Sequence, residues 1–148
     1  MLIPLEPPQS RREPPAGLAL WRLGFRPFYL LAAGFAALAV PLWVLQLLTG
    51  AGPAGMLSGH LWHAHEMVFG FAVAVITGFL FTAVRNWTRL PTPTGGRLAA
   101  FCVLWLLARV LFANGLLLAG VVVDIVFLGA VAATLLGLLW RAGNHRNL

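Results

Sequence analysis

Residues 60–77 read HLWHAHEMVFGFAVAVIT, a run that begins with three histidines and a glutamate and continues as apolar side chains. With about 100° of rotation per residue, a helix here places one set of side chains on a single face. That set is His60, His63, Glu66, Met67, Gly70, Ala74 and Thr77. His65 points nearly the opposite way. We therefore predict a membrane-spanning helix that presents two imidazoles, a carboxylate and a thioether on one side.

The composition argues against a soluble domain. Of the 148 residues, 60% are hydrophobic and only 9% are charged, whereas about a quarter of a soluble domain is charged. The formal charge of +6 does not point to nucleic acid, because the arginines form no basic stripe with interleaved aromatic residues. The single cysteine, Cys102, excludes an internal disulfide, and we expect it to pack inside a helix bundle.

Apolar segments of sufficient length to cross a bilayer account for most of the chain. We place four spans at about residues 27–49, 61–84, 98–117 and 120–140. The last two lie in one apolar run that is too long for a single span of roughly 20 residues, so it must turn, at Asn114-Gly115 or at Ala119-Gly120. Residues 1–20, rich in proline and arginine, are predicted to form a disordered tail. Residues 21–148 then form an all-α, polytopic transmembrane helix bundle.

The arginines predict the orientation of this bundle. Apart from Arg109, which lies inside a span, they lie in the N-terminal region, in the segment from Arg85 to Arg97, and at the C-terminal end, whereas the other two connections carry none. By the positive-inside rule, both termini are cytoplasmic. The histidine cluster is then on the outer side of a bacterial inner membrane, which is the periplasmic side in a Gram-negative cell.

The side chains of His60 and His63 are candidate metal ligands, one helical turn apart on one face. Imidazole suits haem iron, copper and zinc, and the thioethers of Met67 and Met56 suit copper. The spacing is not that of a zinc protease. The alternative for the histidines is a place in the interfacial aromatic belt, and for the methionines it is packing.

Glu66 is a carboxylate about one turn inside the predicted second span, where an ionised group is costly without a partner. It can be a metal ligand, an acceptor for the second ring nitrogen of a ligating histidine, or a proton carrier. The alternative is an interfacial carboxylate that is only hydrated by headgroup water. We favour the acceptor role, with His63 as the histidine, because ligating imidazoles usually donate to such a group. His65, on the other face, binds something else or faces a neighbouring helix.

Arg109 and Asp124 lie inside the last two predicted spans. Residues equidistant from the turn of a helical hairpin lie at the same depth, and the midpoint of these two falls between the two candidate turns. We therefore predict an intramembrane ion pair. It either sets the register of the hairpin or belongs to a proton or anion path.

Five blocks of the sequence resemble the NnrS family. They are GFRPFYLLAAGFAALAVPLW (24–43), HLWHAHEMVFGF (60–71), GFLFTAVRNWT (78–88), LWLLARVLF (104–112) and RNL (146–148). Members of this family are polytopic inner-membrane proteins of bacteria that contain haem and copper and are associated with denitrification and nitric oxide stress. The resemblance implies haem and/or copper here. It strengthens His60, His63 and His65 as candidate cofactor-binding residues and His60, His63 and Glu66 as candidate metal ligands. Met67 is a candidate metal ligand from the chemistry of its thioether alone.

The chain departs from that family in two respects. Family members have about twelve spans and this chain has about four, so a homo-oligomer or further helices of a larger protein are expected to complete it. Arg85 also stands where the family block A-V-P-N-W has proline.

Turnover does not follow from these residues, since a protective or sensing metal protein fits as well as an oxidoreductase. Two other classes of function stay open. A transporter or channel segment would use the histidines, Glu66 and the Arg109–Asp124 pair for proton or ion movement. A structural membrane subunit would use the same polar stripe for packing against a partner. The lipid bilayer is the expected environment in all three.

Overall fold

The computed structural model describes residues 19–50 and 59–143, and these residues are helical throughout apart from short connections. A 3-10 helix, Ala19–Arg22, precedes four long helices. These are α1 (Phe25–Thr49), α2 (Gly59–Thr88), α3 (Gly95–Ala113) and α4 (Leu117–Arg141). The predicted all-α fold is confirmed. Most of the predicted tail lies outside the described residues, and its last two residues, Ala19 and Leu20, begin the 3-10 helix.

All four helices are long and apolar enough to cross a membrane. The shortest, α3, has 19 residues and a length of about 28 Å at 1.5 Å per residue, close to the thickness of the hydrocarbon core. Large apolar side chains face outward from every helix, among them Leu48, Leu61, Val103 and Leu118. Such a surface is favourable next to lipid, because acyl chains, unlike water, make no hydrogen bonds that an apolar surface would disrupt.

Helices α1 and α2 approach closely because small residues lie where they meet. A Cβ atom at Gly78 would lie 2.9 Å from Cβ of Phe28 and 3.1 Å from the backbone of Phe25. Ala74, one turn earlier on α2, is fully buried. The small residues that begin at Gly70 on the predicted stripe are therefore used for packing within the chain.

Helices α3 and α4 form the predicted hairpin, and its turn lies at Asn114-Gly115. Gly115 has a φ of +74°, a left-handed conformation that glycine adopts without steric cost. The backbone N–H of Leu116 then donates to Leu111 O at 3.0 Å, which satisfies a carbonyl at the end of α3. Gly120 is not a turn residue. It lies in the first turn of α4, where a Cβ atom would come within 2.9 Å of the Phe112 ring.

Helix α2 is not a regular α-helix along its whole length. Gly59–His65 and Val73–Thr88 are α-helical, but Glu66–Ala72 between them is a π-helix. Because i→i+5 hydrogen bonds put more residues into each turn, residues three or four apart no longer share a face through this segment. The continuous α-helical stripe predicted from the sequence is therefore interrupted at Glu66.

Candidate functional site

The side chain of Arg109 on α3 is the centre of a buried charge network that joins three helices. Its Nη1 donates to Glu66 Oε2 on α2 at 3.0 Å. Its Nη2 donates to both carboxylate oxygens of Asp124 on α4, with a distance of 2.5 Å to Oδ1. The structure thus brings together Arg109 and Asp124, which we had paired from the sequence, and adds Glu66 to them.

His65 closes the network into a ring. Its Nδ1 lies 3.1 Å from Glu66 Oε1, a hydrogen bond in the tautomer that carries the proton on Nδ1. Its Nε2 lies 3.8 Å from Asp124 Oδ2. The ring holds two carboxylates and one guanidinium, so it has one uncompensated negative charge unless a proton on His65 or on a carboxyl group balances it.

The network is almost completely shielded from its surroundings. The exposed fraction is 1% for Glu66, 5% for Arg109 and 6% for Asp124. The guanidinium also lies beside the Phe112 ring, with Cζ 5.4 Å from the ring centroid. Charges buried to this degree stabilise a fold only when each keeps its partner, and loss of one partner costs about 3–5 kcal/mol. The network therefore fixes the relative positions of α2, α3 and α4.

The π-helical segment that carries Glu66 is held by two aromatic residues. Trp105 on α3 donates from Nε1 to the carbonyl oxygen of Gly70 at 3.1 Å, in a buried hydrogen bond. Phe35 on α1 packs over the same glycine, and its ring meets that of Trp105 edge to face at 5.6 Å. A Cβ atom at Gly70 would lie only 2.4 Å from Cε1 of Phe35. Glycine is thus required for this arrangement.

His60 and His63 lie on a different side of α2, against Trp43 of α1. The imidazole of His63 stacks on the indole of Trp43, with centroids 3.9 Å apart and an angle of 13° between the planes. His60 approaches the same indole by its edge at 6.4 Å. The Nδ1 atom of His63 is buried and has no hydrogen-bond partner within the described residues. A buried ring nitrogen without a partner is a costly feature that a ligand or water would relieve.

The candidate site residues of α2 therefore separate into two groups. We expected Glu66 to lie beside His63, but the structure places its carboxylate beside His65, because Arg109 of α3 binds Glu66 Oε2 and holds it on the side of α2 that carries His65. His65, expected to bind something else or face a neighbouring helix, contacts Phe112 of α3 at 4.2 Å between ring centroids. Met67 is partly exposed. Met56 lies outside the described residues.

Two aromatic residues of the site were missed in the sequence. Trp43 and Trp105 were treated only as apolar residues of their spans. Trp43 lies near the end of α1 that faces the histidines, so a comparison of depths along neighbouring helices would have suggested it. Nothing in the sequence indicates the role of Trp105. It donates to the carbonyl oxygen of Gly70, which lies in the π-helix, and the π-helix was not predicted.

Comparison with known proteins identifies the family. The family model described as NnrS protein matches residues 19–148. This chain belongs to the NnrS family. Searches of curated proteins and of solved structures returned no match. The predicted family and a multi-pass membrane protein of the NnrS type are thereby confirmed.

The donor atoms of this NnrS protein differ in how well they suit the haem or copper that the resemblance implies. Both oxygens of Glu66 are already used, by His65 and by Arg109, and a guanidinium between two carboxylates would repel a metal cation there. The network does not fit a metal centre. His60 and His63 fit better, because both imidazoles lie against the same indole and His63 Nδ1 has no hydrogen-bond partner in the part of the chain that the structure describes.

Haem and a lone metal ion differ in how many donors they need from the protein. Within residues 19–50 and 59–143, no group of three or more His, Cys, Asp or Glu side chains is arranged to hold a metal ion. A haem brings four nitrogens of its own and needs only one or two axial ligands from the protein. A copper ion at the same place would need further donors, such as Met67 or residues from another copy of the chain.

Proposed function

We propose that this NnrS-family protein is an integral membrane haem- and/or copper-binding protein that acts in the response to nitric oxide or in denitrification. The observation that carries the proposal is the imidazole pair of His60 and His63 around Trp43, in which the buried Nδ1 of His63 has no hydrogen-bond partner among residues 19–50 and 59–143. Family membership over most of the chain supports the nitric oxide role.

His63 is the proposed principal ligand and His60 the second. Trp43 orients the His63 ring by stacking and excludes water from one of its faces. When bound, the haem iron or copper supplies the coordination and redox chemistry toward a small ligand such as nitric oxide. The apolar outer surfaces of the helices suit a small neutral gas, because it partitions into lipid and can reach the site from within the membrane.

The buried network has a supporting role in this proposal. It joins α2 to α3 and α4 two and three residues beyond His63, at His65 and Glu66, so it fixes the helix segment that carries the imidazole pair. A positioned ligand binds with less loss of conformational freedom. We also propose that both termini are cytoplasmic and that the histidines lie toward the outer, periplasmic side.

The test is the absorption spectrum and metal content of the purified chain beside two variants, His63→Ala and His65→Ala. We expect a Soret band, or stoichiometric copper, that His63→Ala removes. His65→Ala should leave the bound group in place and lower only thermal stability. Circular dichroism of each variant shows that loss of the cofactor is not loss of the fold. A folded, colourless and metal-free wild-type chain would overturn the proposal and favour a transport or structural role.

A further inference from the structure

A cleft opens at the end of the bundle opposite the charge network, where α2 ends, α3 begins and α4 ends. It has a volume of about 370 Å³. Two arginines, Arg97 and Arg141, lie on its rim, and Thr134, Gly137 and Leu138 of α4 form part of its wall. We propose that this cleft binds the phosphate headgroup of an anionic phospholipid.

The charges of the cleft favour an anion. Arg97 and Arg141 are both exposed. The only carboxylate side chains among residues 19–50 and 59–143 are those of Glu66 and Asp124, and both pair with Arg109 near the other end of the bundle. The two rim arginines therefore have no carboxylate partner in the described part of the chain. Guanidinium groups bind phosphate oxygens strongly and often with two hydrogen bonds.

The start of α3 adds backbone donors to the same place. Gly95–Ala113 begins at the cleft, and its N-cap residue, Thr94, makes no side-chain hydrogen bond to the first turn. The first N–H groups of a helix have no partner within the helix, and together with the helix dipole they favour an anion. The start of α3 therefore adds to the preference for an anion that Arg97 and Arg141 give this end of the bundle.

The wall of the cleft favours a lipid over a free anion. Below the arginines it is formed by Ala133, Gly137 and Leu138. A Cβ atom at Gly137 would meet no atom within 4 Å, so the helix surface is open there. The hydroxyl of Thr134 donates to Ala130 O at 2.8 Å and needs no water. A cleft that is cationic at the helix ends and apolar along the helices matches a headgroup with its acyl chain.

The test uses the purified full-length chain in detergent, titrated with phosphatidylglycerol or with phosphatidylcholine, with the shift in unfolding temperature as the readout. We expect phosphatidylglycerol alone to raise that temperature. Arg97→Gln and Arg141→Gln should each weaken the apparent affinity by about fivefold, the effect of one cationic residue at a charged membrane surface. Arg85→Gln is the matched control, since it removes one charge from the same end outside the cleft and should change the affinity less than twofold.

A second pair of variants tests the acyl-chain wall. Gly137→Leu fills the cleft, whereas Gly129→Leu adds the same bulk to an equally open position of α4 outside it. Only Gly137→Leu should weaken lipid binding. Equal losses from Arg85→Gln and Arg97→Gln would overturn the proposal, because they would show diffuse attraction. An equal effect of phosphatidylcholine would overturn it too. A rise in unfolding temperature with millimolar inorganic phosphate alone would also overturn it, because the site would then bind a free anion.

Discussion

Arg109 of α3 and Glu66 of α2, which are 43 positions apart in the chain, are joined by a buried hydrogen bond of 3.0 Å. The same guanidinium holds Asp124 of α4, so one side chain connects three of the four helices. In a bilayer these charged groups cannot be hydrated if they lose their partners, so the network constrains the fold. It also supports the neighbouring histidines.

Replacement of Arg109 by methionine should be strongly destabilising, because it leaves Glu66 and Asp124 buried without their common partner. We expect a loss of about 3–5 kcal/mol in the free energy of unfolding, measured by chemical denaturation in micelles. The triple variant Arg109→Met, Glu66→Gln, Asp124→Asn removes all three charges and should recover most of that loss. Equal stability of wild type and Arg109→Met would show that the pairing is unimportant.

The Glu66→Gln variant tests whether the Glu66 carboxylate supports the histidines or binds a metal itself. Since both oxygens of Glu66 are used within the network, we expect the variant to lose stability but to keep its haem or copper content within about twofold of wild type. Metal analysis and the absorption spectrum give the content, and thermal unfolding gives the stability. Complete loss of metal from a folded Glu66→Gln protein would make the carboxylate a ligand after all.

Gly70→Ala should disturb the π-helical segment, because the added Cβ would lie 2.4 Å from the Phe35 ring and 2.9 Å from Glu66 Oε2. We expect a destabilisation of about 1–3 kcal/mol, typical of overpacking. Gly129→Ala is the control, as its Cβ would meet nothing within 4 Å and alanine favours a helix by about 1 kcal/mol. Thermal unfolding measures the stability of both variants. A Gly70→Ala variant as stable as Gly129→Ala would contradict the close packing of Phe35 against Gly70.

Trp105→Phe keeps most of the buried ring and removes only the donor to Gly70 O. A buried carbonyl without its partner should cost about 1–3 kcal/mol. Trp87→Phe provides the comparison, because Trp87 is 47% exposed. Both variants are compared by thermal unfolding, and amide hydrogen exchange should show faster exchange at residues 66–72 in Trp105→Phe alone. Unchanged exchange there would mean that the hydrogen bond does not hold the π-helix.

The orientation of the bundle can be tested with a fluorescent protein fused after Leu148. Arginines outside the network cluster at the end formed by the start of α1, the 89–94 connection and the end of α4. The positive-inside rule therefore predicts a fluorescent, cytoplasmic C-terminus. Alkaline phosphatase fused at the same place should be inactive. The opposite pair of results would place the histidines on the cytoplasmic side.

Much of the fold could be predicted from the sequence because the length and apolarity of a span are local properties. The four helices, a hairpin turn at one of two candidate sites and the close approach of Arg109 to Asp124 all follow from the order of residues along the chain. The structure selects Asn114-Gly115 as the turn. Prediction from the sequence failed at the candidate site. The helical pattern assigns Glu66 to the face of His63, but the partners of its carboxylate, His65 and Arg109, are decided by contacts between helices that the pattern does not contain.

By itself, the sequence determined that this NnrS-family chain forms apolar helices of membrane-spanning length, with arginines at their ends and few charges between them. Only the tertiary structure decided which side chains meet. Phe35 and Trp105 hold the π-helix at Gly70 from two other helices, and Arg109 of α3 holds Glu66 beside His65. The physical reason is that contacts between helices, rather than intrinsic helix preference, set the local period of α2.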